Sequence, residues 1–305
     1  MGRLALAILA STSLAGCGAS STSPASTPAT AGAHTSSSHG SAGKPRVVDG
    51  SFYSDAVDGA LHYSIALPPG YDTSGERYPV IYVLHGLPAN DQAYKGITGY
   101  ADSLASTGHP AIVVGAQGAR PGDTDPEWHN WGPGRDWETA TESELVTLID
   151  DQYRTIPERS ARGIIGISAG GYGATLIAIH HPETYQVIES WSGYFVLTDP
   201  AGKPKDLGSA EANADASAHA HVDHLQDEFR PYGKTFFGFY IGAQDPYNGF
   251  VDDNEALDRE LTAAGIPHVF QIYQGAHDGP FWREHQDEWL AAAVERLDPP
   301  ERSGS

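Results

Sequence analysis

Hydrophobic positions along the chain fall into short apolar runs that alternate with longer amphipathic segments. Residues 61–67 alternate apolar and polar side chains with period two, which predicts a strand with one wet face. Residues 79–84 are apolar throughout and end at His85-Gly86, as a buried parallel strand does. Further apolar runs predict more buried strands, at residues 111–114, 163–167, 236–241 and 268–273.

Helical patterns lie between these runs, near residues 141–152, 171–180, 251–264 and 281–297. Strands that alternate with helices indicate a mostly parallel central sheet with helices on both faces, which is the α/β class. The strands around 51–67 have no helix between them and should form an antiparallel edge. The predicted domain spans residues 47–298, and residues 299–305 are expected to form a flexible tail.

The first 46 residues differ in composition from this domain. Residues 1–16 contain one arginine, an apolar run and then small residues, which is typical of a secretory signal. The run Leu14-Ala15-Gly16-Cys17 resembles the lipobox of bacterial lipoproteins, which implies cleavage before Cys17 and a lipid on its sulfur. An ordinary signal peptide with an incidental cysteine is the alternative. Residues 17–46 are rich in Ser, Thr, Ala and Pro and are expected to form a flexible tether.

Net charge and cysteine content restrict the partners of this protein. Acidic residues outnumber basic ones 39 to 18, which gives a formal charge of −21. Such a surface repels phosphate backbones, so we expect no nucleic acid partner and contact with a membrane only through the lipid anchor. The chain has one cysteine, which excludes an intramolecular disulfide and a cysteine-rich zinc module.

A candidate nucleophile lies where a predicted strand meets a predicted helix. Residues 166–170 read G-I-S-A-G and match the pattern G-x-S-x-G, with Ser168 at its centre. In this context the pattern indicates a sharp turn that exposes the serine hydroxyl above the sheet. The flanking glycines are expected because side chains there would collide as the helix folds back over the strand.

A serine hydroxyl needs a base, and the base needs an acid to orient it. His277 lies in a polar loop after the last predicted strand, where such a sheet carries its active site. Asp245 follows the preceding strand and lies between Ser168 and His277 in chain order. Asp252, Asp253 and Glu255 are nearby alternatives, although they have the pattern of carboxylates at a helix start.

Two further groups of residues complete the predicted site. Backbone N–H groups of Ala169 and Leu87 are the candidate donors to an oxyanion, since one follows the serine and the other follows the turn at His85-Gly86. A Gly- and Pro-containing loop holds three tryptophans that we interpret as part of a substrate wall, Trp128, Trp131 and Trp137.

The run His219-Ala220-His221-Val222-Asp223-His224 has the spacing of zinc ligands in metallo-β-lactamase-like hydrolases. In that superfamily the run follows an apolar strand, whereas here it follows an alanine-rich segment without a second ligand cluster. We therefore interpret His219, His221 and His224 as part of a solvated helix face and predict no metal site.

These segments together resemble the putative esterase family of α/β-hydrolases, which includes S-formylglutathione hydrolases, feruloyl esterases and mycolyltransferases. The resemblance rests on stretches in the expected order, Y-V-L-H-G at 82–86, G-I-S-A-G-G-Y-G-A at 166–174, W-S-G at 191–193, G-A-Q-D at 242–245 and H-D at 277–278. It implies an α/β-hydrolase fold, with Ser168, Asp245 and His277 as a triad and Leu87 and Ala169 as oxyanion donors. Ala276 and Gly279 depart from the family pattern beside the base.

The sequence thus predicts an exported serine esterase, located in the cell envelope and anchored at Cys17. It would cleave a small-molecule, glycan or lipid ester through an acyl-enzyme, without a cofactor or metal ion. Two alternatives stay open: an acyltransferase that uses the same triad on a sugar or lipid hydroxyl, and an inactive lipoprotein that uses the scaffold for binding. Residues 200–233 match no pattern in the family.

Overall fold

A computed structural model describes residues 43–123 and 126–302 of this chain. The predicted signal, Cys17 and most of the predicted tether lie outside the described residues and stay predictions. No helix of the described residues is long and apolar enough to span a bilayer.

An eight-stranded sheet forms the centre of the fold, with the strand order β1-β2-β5-β4-β6-β7-β8-β9. Its strands are β1 (Arg46–Ser54), β2 (Gly59–Leu67), β4 (Val80–Leu84), β5 (Ile112–Ala116), β6 (Arg162–Ile167), β7 (Val187–Trp191), β8 (Phe236–Gly242) and β9 (Val269–Tyr273). β1 and β2 pair antiparallel at one edge, and β2 pairs antiparallel with β5. All other neighbours pair parallel, which confirms the predicted α/β class.

Helices cover both faces of this sheet because the buried strands are apolar on both sides. They are α1 (Tyr71–Ser74), α2 (Thr98–Thr107), α3 (Trp137–Thr139), α4 (Val146–Gln152), α5 (Ala169–His180), α6 (Ala210–Asp215), α7 (Ala218–Phe229), α8 (Phe250–Ala263) and α9 (Gly279–Val294). A π-helical segment, Ala140–Leu145, joins α3 to α4. Helices α2 and α9 pack on one face, and α4, α5, α7 and α8 pack on the other.

Helix α5 lies at the centre of the second face. Its residues from Ala169 to Ile179 are all buried, since the helix is apolar or small on every side. The helix begins directly after Ser168 and ends before Pro182, which disfavours helical geometry in the residue that precedes it. The helix therefore places Ser168 at one of its ends and His180 at the other.

Two sequence predictions are corrected at the edges of the domain. The strand predicted at 268–273 is β9, but it is an edge strand with Val269 and Ile272 exposed rather than a buried one. The tail predicted at 299–305 is ordered in part, because β10 (Glu301–Arg302) pairs antiparallel with β3 (Glu76–Arg77).

Candidate active site

Ser168 lies in a sharp turn between β6 and α5. Its backbone has φ 56° and ψ −123°, a conformation that strains a residue with a side chain. A Cβ atom on Gly166 would overlap the carbonyl group of Gly170, and one on Gly170 would overlap that of Leu84. The two glycines are therefore required for the helix to turn back so closely over the strand, as the sequence predicts.

His277 lies between Ser168 and Asp245. Its Nδ1 atom is 2.7 Å from Oδ2 of Asp245, and its Nε2 atom is 2.8 Å from Oγ of Ser168. The second oxygen of Asp245 accepts the N–H of Tyr247 at 3.0 Å. Because a carboxylate only accepts, the imidazole donates through Nδ1, and its Nε2 atom is left to accept from the serine hydroxyl. The structure thus brings together three residues that the sequence predicts as one site.

Aromatic side chains hold the imidazole in this position. The rings of Tyr247 and Trp282 meet that of His277 edge to face, with centroids 4.9 and 5.1 Å away. Trp282 is itself fixed, because its Nε1–H donates to Oγ of Ser192 at 2.9 Å. The side chain of His277 is 7 % exposed and that of Asp245 is fully buried. Little water can therefore compete for the hydrogen bond between them.

The two candidate oxyanion donors belong to residues next to Ser168, one along the chain and one across the turn at Gly86. Ala169 is the first residue of α5, and Leu87 follows Gly86, where an added Cβ would lie 2.9 Å from that of Ser168. Within residues 43–123 and 126–302, neither the N–H of Leu87 nor that of Ala169 donates to a protein acceptor. Both N–H groups are consequently available at the nucleophile.

His85 orients the peptide group that carries the N–H of Leu87. The N–H of Gly118 donates to Nε2 of His85 at 3.0 Å, so Nδ1 carries the hydrogen and donates to the carbonyl of Gly86 at 3.0 Å. Burial lowers the pKa of His85, which favours this neutral form. Since a trans peptide directs its N–H opposite to its C=O, fixing this carbonyl also fixes the N–H of Leu87.

Two of the three tryptophans predicted to line a substrate wall belong to the core instead. Trp128 is buried, and its Nε1–H donates to the carbonyl of His85 at 3.1 Å. Trp137 is buried against Val57 and Leu61, close to the guanidinium of Arg120. Both indoles therefore support the loops around the site rather than face a substrate.

Trp131 is the one of the three that borders the candidate site. It is half-buried and packs on the apolar cluster that contains Ala169, on which Leu87, Tyr247 and Leu207 also pack. The ammonium group of Lys205 lies 5.0 Å from the centroid of its ring. Leu207 and Lys205 belong to the segment that the sequence could not match, so that segment contributes to the rim of the site.

A small apolar cavity opens beside Ser168. Its volume is about 220 Å³, and its lining includes Gly86, Leu87, Tyr94, Ile97, Tyr100 and Trp282. A larger cavity of about 1020 Å³ lies between α5, α7 and the start of β8, and its lining includes none of Ser168, Asp245 and His277. We take the smaller cavity as the one that matters for chemistry, because it contacts the nucleophile.

The histidine run on α7 does not form one cluster. His219 contacts α8, where its ring nitrogens lie 2.6 Å from Oε2 of Glu260 and 3.0 Å from Oδ1 of Asp253. Burial alone would lower the pKa of His219, but these two carboxylates raise it. His221 lies on another side of the helix, and His224 is exposed. The predicted solvated face therefore applies to His224 and is wrong for His219.

The sequence analysis missed a buried carboxylate, Glu138, at the far end of α5. Oε1 of Glu138 lies 2.8 Å from Nδ1 of His180 and 3.0 Å from Nε2 of His181. Burial alone would raise the pKa of Glu138, but these two imidazoles overcome that effect and lower it to about 2. Glu138 is separated from both histidines by more than 40 positions, and no local pattern indicates this contact.

The fold and the strand-to-helix turn at Ser168 define an α/β-hydrolase. Residues 54–292 match the family described as Putative esterase, so the chain belongs to this family. An esterase of Mycobacterium tuberculosis is 30 % identical over 259 residues, which cover 76 % of this chain and 56 % of the relative. The chain thus spans about half the length of that curated relative.

Solved structures with the same fold include a ferulic acid esterase, with a TM-score of 0.71 and 22 % identity. The superposition covers 83 % of this chain and 98 % of the other. An S-formylglutathione hydrolase from Agrobacterium tumefaciens has a TM-score of 0.69 and 18 % identity, covering 83 % of this chain and 96 % of the other. These likenesses establish the α/β-hydrolase fold.

Proposed function

We propose that this protein is a serine hydrolase that cleaves carboxylic esters through an acyl-enzyme intermediate. The observation that carries the proposal is the placement of His277 within hydrogen-bonding distance of both Ser168 and Asp245, at 2.8 and 2.7 Å. Membership of the putative esterase family supports the same chemistry. The family thus supports ester hydrolysis, and the geometry supports the serine mechanism proposed for it.

The first half of the reaction acylates the serine. Nε2 of His277 takes the proton of the Ser168 hydroxyl while Oγ attacks the ester carbonyl carbon. Asp245 keeps the imidazole in the correct tautomer and stabilises the imidazolium that forms. As the tetrahedral intermediate collapses, the bond to the alkoxy group breaks and His277 returns its proton to the leaving alcohol.

The second half repeats these steps with water in place of the serine. His277 takes a proton from water, the resulting hydroxide attacks the acyl carbon, and Ser168 leaves with the proton that the imidazole returns. An alcohol in place of that water would give acyl transfer, so the two predicted activities differ only in the second acceptor. Every proton in this scheme moves between His277 and either Ser168, the leaving alcohol or the attacking water.

Negative charge on the carbonyl oxygen is the main electrostatic demand of both halves. The N–H groups of Leu87 and Ala169 would donate to that oxygen, and the positive end of the α5 dipole would add to their effect. Donors that are fixed before the reaction starts need no reorganisation when charge develops. We assign His85 the role of holding the Leu87 N–H in place.

Ser168→Ala tests the proposal directly. We expect hydrolysis of p-nitrophenyl acetate to fall by about 10⁵-fold or more, because the nucleophile is lost. Circular dichroism should show an unchanged fold, and Ser51→Ala, which alters an exposed serine of β1, should retain full activity. A fluorophosphonate probe should label the wild type and not Ser168→Ala.

Undiminished turnover in Ser168→Ala would rule out the proposed nucleophile. A folded wild type that neither turns over esters nor takes the probe would favour the inactive binding lipoprotein instead. Adding sugar acceptors to the same assay separates the two enzymes, since a transferase makes acylated sugar at the expense of free acid.

A further inference from the structure

Three potential metal ligands meet at the end of α5 that faces away from Ser168. They are His180, the last residue of α5, Asp215, the last residue of α6, and His221 in the first turn of α7. One ligand atom from each lies within 4.8 Å of the other two. Helix α5 thus meets two helices that are consecutive in the chain, α6 and α7, at one point.

The two imidazoles direct the same nitrogen to the same place. Nε2 of His180 is 3.1 Å from the carbonyl oxygen of Asp215, and Nε2 of His221 is 3.2 Å from that oxygen. Nε2 of His180 is also 3.9 Å from the carboxylate oxygen Oδ1 of Asp215. Two imidazole nitrogens, a carboxylate and a carbonyl oxygen therefore surround a shared space.

Glu138 gives one of these imidazoles the orientation of a metal ligand. Its buried Oε1 accepts the Nδ1–H of His180 at 2.8 Å, which fixes the ring with Nε2 toward the shared space. A metal ion would bind there in place of the Nε2 proton, which is now donated to the carbonyl of Asp215. Histidines that bind metal ions usually donate their other ring nitrogen to a carboxylate in this way. This second observation distinguishes the group from a chance meeting of polar side chains.

The distances permit closure around an ion with small side-chain movements. Zinc bonds of about 2.0–2.1 Å in a tetrahedron place ligand atoms about 3.3–3.4 Å apart. The side chain of Asp215 is 63 % exposed and free to rotate over the roughly half an ångström by which the 3.9 Å separation exceeds that distance. The negative end of the α5 dipole also favours a cation here.

We propose that His180, His221 and Asp215 bind one divalent transition metal ion, with Zn²⁺ the best match to two imidazoles and a carboxylate. Water would complete the tetrahedron. The ion would join α5, α6 and α7, none of which is otherwise cross-linked at this point by a covalent bond. The proposal does not depend on the ester chemistry.

Binding at this point would fix a segment that borders the candidate active site. Ala216 follows Asp215 directly, and its carbonyl accepts the hydroxyl of Tyr172 at 3.0 Å. Ala216 belongs to the same apolar cluster as Ala169, and Leu87 packs on that cluster. The metal ion would therefore have a structural role, stabilising the connection between β7 and α7 where it approaches Ser168.

Titration of the full chain with ZnCl₂ after dialysis against EDTA tests the proposal. Calorimetry should show that the wild type binds one zinc ion tightly. His221→Asn should bind zinc at least about tenfold more weakly. His224→Asn is the matched control, because it removes an exposed imidazole of the same helix and should bind like the wild type. Zinc should raise the Tm of the wild type and of His224→Asn only.

A second group of potential metal ligands lies nearby and is the alternative zinc site that the experiment must distinguish. Glu142, His181 and Glu183 also lie within range of one another but offer one imidazole and two carboxylates. Loss of the tight equivalent in Glu183→Gln, with retention in His221→Asn, would overturn the proposed assignment. A wild type without an equivalent tighter than about 10 µM would also overturn it. If His221→Asn does not fold, Asp215→Asn replaces it, because it alters an exposed side chain and should weaken zinc binding in the same calorimetric titration.

Discussion

The two ends of α5 present nearly the same pair of groups. At its start, Oδ2 of Asp245 lies 2.7 Å from Nδ1 of His277, and at its end, Oε1 of Glu138 lies 2.8 Å from Nδ1 of His180. The difference lies in what the second nitrogen meets. His277 meets the hydroxyl of Ser168, which has a proton to give, whereas His180 meets the carbonyl of Asp215, which has none.

This difference teaches that a carboxylate and an imidazole do not by themselves make a catalytic base. A hydroxyl beside Nε2 makes the pair a proton acceptor for a nucleophile. A carbonyl beside Nε2 accepts a hydrogen bond and has no proton to give, so the same pair at the far end of α5 has no nucleophile to activate. The helix dipole reinforces the division, since its positive end favours an oxyanion and its negative end a cation.

The largest expected effect that separates the two ends is on turnover. Asp245→Asn should lower kcat for p-nitrophenyl acetate by about 10⁴-fold, because the amide favours the wrong imidazole tautomer. Glu138→Gln should change kcat by less than about twofold, since kcat responds only to groups that act in the transition state. Equal losses in the two variants would show that the ends of α5 are not functionally distinct.

The next effect is on stability, and here the variant at Glu138 should be affected more than the variant at Asp245. Glu138→Gln should lower the free energy of unfolding by about 3 kcal/mol, because a buried carboxylate that two imidazoles share is neutralised. Asp245→Asn should lower it by about 1 kcal/mol, since one hydrogen-bonded imidazole is affected. Urea unfolding of both variants in EDTA measures the difference without a metal contribution. A Glu138→Gln protein as stable as the wild type would contradict this account.

The smallest effect concerns a third imidazole, His85, which bonds only to backbone groups. His85→Asn should lower kcat about tenfold and leave KM nearly unchanged, because an oxyanion donor acts mainly in the transition state. His109→Asn, which alters an exposed histidine, is the matched control. A rise in KM with unchanged kcat would assign His85 to substrate binding instead of to positioning the Leu87 N–H.

Strands and helices with regular patterns were predictable, and those with buried polar residues were not. β4, β6 and β8 were predicted close to their observed bounds because, apart from Arg162 at the start of β6, they consist of apolar residues and glycine. β7 was missed because Glu189 and Ser190 interrupt its apolar run, although both are buried. Glu189 accepts the indole N–H of Trp191 at 2.9 Å, and burial raises the pKa of Glu189 to about 8.

The candidate site was predictable where its residues follow strands in a fixed chain order, as Ser168, Asp245 and His277 do. Contacts across the domain were not, since no local pattern relates Glu138 to His180. The histidine run on α7 shows the limit of spacing alone. Residues two positions apart on a helix point about 200° from each other, so His219 and His221 face different neighbours.

The crowded turn at Ser168 has a consequence for protein engineering. Gly166 and Gly170 leave no volume for a side chain, and α5 is enclosed on all sides, so variation there is not tolerated. The connection that carries Lys205 and Leu207 lies largely at the surface, and its Leu207 packs on the apolar cluster that contains Ala169, the residue after the nucleophile. Mutant libraries aimed at new substrates should vary this connection, because substrate specificity can change there while Ser168 and its supporting residues are kept.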